Sequence, residues 1–93
     1  MKACIVEEIL KEEGIKFTKR NCGDFTKFVI QYAYVSNVVT SELLYVKNNV
    51  DSDRILYEFI CRGEDVIYDV IDCDKVMNTV IANHNLWLDM QRG

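Results

Sequence analysis

The sequence contains no proline, one histidine, one tryptophan and only four glycines in its 93 residues. Without proline or a glycine-rich stretch there is no linker, and no break in composition divides the chain, so residues 1–93 read as a single globular domain. The lone histidine, His84, excludes paired Cys/His zinc ligands, and Cys4, Cys22, Cys61 and Cys73 include no C-x-x-C. No glycine-rich loop of the kind that cradles phosphate is present. No apolar run approaches the roughly 18–20 residues of a membrane helix, and no charged, apolar and small-residue succession marks a secretory signal. A basic surplus is missing too. Lys and Arg number 11 against 15 Asp and Glu, a net charge of −4, which disfavours direct contact with nucleic acid. The expectation is a cytoplasmic protein without membrane contact, metal or cofactor, holding reduced and mostly buried thiols.

What charge there is lies unevenly. Residues 1–48 hold seven basic and six acidic residues, whereas residues 49–93 hold four basic and nine acidic ones. Glu64, Asp65, Asp72 and Asp74, with Asp69 among them, form an acidic rim. Such a rim keeps a small protein soluble and suits a basic partner or a divalent cation.

Hydrophobic periodicity divides the chain into elements. Ile5, Val6, Ile9 and Leu10 recur at helical spacing, and Gly14 supplies a C-cap with Ile15 beyond it. A short strand is expected from Ile15 to Arg20, followed by a turn at Asn21-Cys22-Gly23-Asp24. Phe25 to Val35 fits both periods, and its aromatic and β-branched content favours a strand. A turn at Ser36-Asn37 and a strand within Val38 to Lys47 follow, then a polar connection over Asn48 to Asp53. From Asp74 the period becomes helical, with Val76, Met77, Val80, Ile81, His84, Trp87 and Leu88 on one face and Asp72 or Asp74 as N-cap. Asn83, His84 and Asn85 are poor helix formers, and a kink or fraying is expected there. The fold class is α+β: an N-terminal helix, an antiparallel meander of four or five strands, and a C-terminal helix. An all-α bundle is the alternative, because Ile55, Leu56, Phe59 and Ile60 also satisfy helical spacing.

Arg54 to Ile71 reads as a hairpin. A two-residue loop at Gly63-Glu64 suits a type II′ turn and pairs Cys61 with Val66, Phe59 with Tyr68, and Tyr57 with Val70. In that register Leu56, Ile60, Ile67 and Ile71 share the opposite face with Glu58 and Asp69, and the two acids stand directly across from one another. A face so apolar and so acidic is either covered by a helix or reserved for a partner.

The residues carry little catalytic chemistry. His84 sits on an apolar helical face, where histidines are commonly core residues. Lys16, Phe17, Lys19 and Arg20 interleave charge and aromatic character, which a single-stranded nucleic acid can use, but a charged edge strand has the same composition. The expected function is therefore non-enzymatic: a protein–protein interaction domain that inhibits or regulates a partner with a basic surface, or pairs with a second copy of itself. Inhibitors that phages direct against host nucleases, anti-CRISPR proteins among them, share this small size and acidic charge. The alternative is a small metal-dependent or nucleic-acid-processing enzyme using Asp69, Asp72 and Asp74.

Overall fold

The computed structural model describes residues 1–32, 40–61 and 64–92. Helix α1 (Ala3–Glu12) leads into five strands, β1 (Thr18–Asn21), β2 (Phe25–Tyr32), β3 (Thr40–Lys47), β4 (Arg54–Cys61) and β5 (Glu64–Asp72), and helix α2 (Cys73–Arg92) closes the chain. The strands form one antiparallel sheet in sequence order, β1-β2-β3-β4-β5. The meander therefore has five strands, and the helical bundle is excluded. The turn expected at Ser36-Asn37 lies outside the described residues.

Both helices contribute to one core on one face of the sheet. Alternation along the strands supplies its floor: Phe28, Ile30 and Tyr32 from β2, Leu44 and Val46 from β3, and Ile55 and Tyr57 from β4. Val6 and Leu10 of α1, with Val76, Met77 and Val80 of α2, form its roof. Each fully buried aliphatic side chain contributes about 1.5–3 kcal/mol relative to exposure. The first strand begins at Thr18, later than the expected Ile15, because Ile15 and Phe17 belong to this core. Ile15 is buried, and the Phe17 ring meets Phe28 edge-on at 5.7 Å.

The local signals at the C-terminal end of α1 are satisfied. The Ile15 amide donates to the Leu10 carbonyl at 2.9 Å and the Gly14 amide to Lys11 at 3.1 Å, with Gly14 at φ +69°. This is a Schellman ending, which needs a residue at ease in the left-handed region. At its C-terminal end α2 departs from expectation, for it continues unbroken through Asn83, His84 and Asn85. Tertiary contacts offset their low propensity. Asn83 Nδ2 donates to Glu42 at 3.2 Å, and buried His84 stacks obliquely near Trp87.

The β4–β5 register corrects the sequence expectation. Cys61 pairs with Glu64 and Ile60 with Asp65, so Glu64 is a strand residue and not a turn residue, while Gly63 of the expected turn lies outside the described residues. A bulge then shifts the register between Ile60 and Phe59, leaving Val66 without a partner. Beyond it Phe59 pairs with Ile67, Glu58 with Tyr68, Leu56 with Val70 and Ile55 with Ile71. One inserted residue reverses which face every later β5 side chain occupies. The physical gain is visible in the pairs: Ile71 meets Ile55 and Ile67 meets Phe59 on the core side. Glu58 meets Tyr68 instead of facing Asp69.

The expectation that most thiols are buried is also corrected. All four cysteines are unbridged, but Cys4 and Cys22 are exposed and only Cys73 is buried. Cys4 lies on the outer side of α1 and Cys22 in the β1–β2 turn, neither of which faces the core.

Candidate functional site

The six residues expected to share one surface are split between two. Leu56, Glu58 and Ile60 lie on the sheet face away from the helices. Ile67, Asp69 and Ile71 lie on the helix side, by their pairing with core residues of β4. There Ile67, Asp69 and Ile71 line a groove of about 380 Å³ between β5 and α2, with Tyr57, Val76 and Thr79. Ile71 packs against the core, so part of this aliphatic set is ordinary interior.

The acidic rim is likewise dispersed. Glu64 and Asp65 stand on the tip of the hairpin, while Asp72 and Asp74 line a depression at the β5–α2 junction with Asp53 and Met1, and Asp72 also borders the groove that holds Asp69. Among the described residues, no group of three or more His, Cys, Asp or Glu side chains stands close enough to hold a metal ion.

What the structure does bring together is the length of β5. This strand ends the sheet, and all of its residues except Ile71 are exposed. Val66 is 59% exposed, Ile67 47%, Tyr68 60% and Val70 47%. Single exposed apolar residues are ordinary, but four in one strand, on both of its faces, form a contiguous patch of the kind found at interaction sites.

The open face of the sheet continues this patch. A groove of about 580 Å³ is lined by Phe25, Tyr45, Leu56, Tyr68 and Val70. Phe25 and Tyr45 meet edge-on at 5.6 Å, and Lys27 Nζ lies 5.7 Å from the Tyr45 ring centre. The Tyr45 hydroxyl donates to Glu58 at 3.2 Å. Burial and the Glu58 carboxylate push that hydroxyl up to about 12. Lys47 and Arg54 flank the groove. This aromatic and basic face was not singled out in the sequence, although the alternation of Phe25, Lys27 and Val29 encodes it. By contrast, the basic residues of β1 offer less than their spacing suggests. Lys19 is held at 2.7 Å by Glu7, whose carboxyl Lys19 and Lys11 keep below the usual range.

A buried polar cluster was also missed. Glu42 is 0% exposed, and its carboxylate accepts hydrogen bonds from the Tyr32 hydroxyl, from Tyr57 at 2.5 Å and from Asn83 at 3.2 Å. Burial raises its pKa, opposed by these three donors. Both tyrosines are raised as well, chiefly by burial and by the adjacent carboxylate. The cluster joins β2, β3, β4 and α2, and every buried side-chain polar atom among the described residues has a partner. It ties α2 to the sheet, with Tyr32, Glu42 and Tyr57 buried and Asn83 half-buried at its border.

The molecule is thus a two-layer α+β protein in which, among the described residues, both helices lie on one sheet face and both edge strands, β1 and β5, are exposed. No protein-family model matches the chain, and neither a curated protein nor a solved structure matches it.

Proposed function

We propose that this protein is a non-catalytic binding domain that inhibits or regulates another protein by occupying its surface through β5. One observation carries the reading: β5 is exposed on both faces and along its outer edge, and half of the large exposed apolar side chains among the described residues belong to it. The acids on the same strand add a preference for a basic partner surface, which speeds encounter and selects against acidic competitors. A host nuclease, with its basic nucleic-acid-binding surface, is a partner of that kind. Asp69 and Asp72 share one groove and Asp72 and Asp74 another, but among the described residues the three do not gather as a metal-holding group, and nothing in their arrangement favours the enzymatic alternative.

The test is affinity capture from a lysate of the source organism, comparing the wild-type chain with Val66→Ser/Tyr68→Ser. Both positions are exposed, so the variant should keep its stability within about 0.5 kcal/mol. Capture of one protein by the wild type and its loss with the variant is the expected result. Equal capture by both would remove β5 from the function.

A further inference from the structure

Residues Glu64–Asp72 form the outer edge of the sheet, with β4 as their strand neighbour. The Val70 amide donates to the carboxylate of its own neighbour Asp69 at 2.8 Å, and the Val70 carbonyl accepts from Arg54 Nη1 at 3.5 Å. Both backbone groups therefore point away from β4, and strand alternation turns those of Tyr68 the same way. A row of outward amides and carbonyls is a template for another strand, and proteins blunt such edges with charge. Here the blunting is done by Asp69 on the Val70 amide and, more loosely, by Arg54 on the Val70 carbonyl.

Resting on the protein-binding reading above, we propose that β5 receives an extended basic segment of the partner, which adds to the sheet as a further strand. Charge selects this occupant. The strand carries Glu64, Asp65, Asp69 and Asp72 and no lysine or arginine. A second copy of β5 paired antiparallel over its full length would bring two strands of four acids each together and set Glu64 opposite Asp72, and like charges across a ladder are destabilising. The opposite edge, β1, is basic, but it has only four residues and Lys19 is already held by Glu7. Only Arg20 would then answer the acids of a neighbouring β5. A foreign segment that alternates lysine or arginine with apolar residues meets every requirement. Its cations take the Asp69 carboxylate, which frees the Val70 amide for an incoming carbonyl. Its apolar side chains, on the other face of the added strand, rest on Tyr68 and Val70. Backbone hydrogen bonds then supply affinity, and the alternation supplies selectivity.

The experiment uses the isotope-labelled full chain and three synthetic probes: a short peptide alternating valine and lysine, its valine–glutamate counterpart, and the lysine peptide N-methylated along one backbone edge. The expected result is that the lysine peptide slows hydrogen exchange at the Tyr68 and Val70 amides and weakens as salt is raised. The glutamate and N-methylated peptides should bind at least about tenfold more weakly. Asp65→Lys/Asp69→Lys should invert the preference in favour of the glutamate peptide. Equal binding of both charges, protection confined to α2 or the open face, or self-association through β5 in sedimentation would each overturn the proposal. If the lysine peptide fails while lysate capture still depends on Val66 and Tyr68, strand addition is wrong and the binding reading stands. If both fail, both fall.

Discussion

The Tyr57 hydroxyl donates to Glu42 Oε2 at 2.5 Å, and both side chains are shut off from water. A carboxylate in that position depends on its donors, because burial alone penalises its charge. Tyr57→Phe removes one of them and leaves the rest of the ring in place. Its expected cost is about 1–3 kcal/mol, the penalty of under-satisfying a buried polar group, read from urea unfolding.

The same residue makes stability depend on pH. Burial raises the Glu42 pKa in the folded protein above its ordinary 4.5, so folding favours the protonated form. Its contribution is fully present below pH 4.5 and is lost as pH rises through the folded value. Glu42→Gln keeps the shape and abolishes the titration. The melting temperature of the wild type should therefore fall relative to Glu42→Gln as pH is raised from 4.5 toward neutrality. Parallel melting curves for the two proteins would contradict this.

Gly14 offers a backbone test free of packing. A Cβ built there meets nothing within 4 Å, and the residue sits at φ +69°. Gly14→Ala should cost about 1–2 kcal/mol, the price of the left-handed conformation for an L-residue. Gly14→Asn should cost less, because asparagine tolerates that region. Thermal unfolding of the pair distinguishes conformational strain from steric conflict.

Thiol reactivity should follow exposure. Cys4 and Cys22 are exposed and Cys73 is buried, so brief alkylation of the native protein should label the first two and spare Cys73 until the chain is unfolded. Peptide mapping of the labelled protein gives the order directly.

The hairpin register is open to direct measurement. Cross-strand Hα contacts should appear between Glu58 and Tyr68 and between Leu56 and Val70, and not between Tyr57 and Val70. This strand is also where sequence reasoning went astray. Alternation in Arg54 to Cys61 and in Glu64 to Asp72 announced two strands, because each segment follows the period of its own pleat. What periodicity within a strand cannot register is a residue inserted between pairs, and the unpaired Val66 is such a residue. The six candidate positions were consequently assigned to one face when the bulge divides them. Helix α1 was legible for the opposite reason, since its spacing and Gly14 cap are local. The Glu42 cluster was illegible because its donors stand at positions 32, 57 and 83 and meet only through tertiary packing.

Strand order that follows chain order has a kinetic consequence. Each strand docks onto the one made just before it, so the sheet grows from contacts between near neighbours and avoids the slow search for distant partners. The part of the core that Val76, Met77 and Val80 cover, however, stays wet until the 20-residue helix α2 docks. Until then Tyr32, Tyr57 and Glu42 stand without Asn83 or the aliphatic side chains of α2 above them. A nascent chain halted before Cys73 should therefore hold a paired but still hydrated sheet. Docking of α2 onto the sheet is then the event that dries the carboxylate.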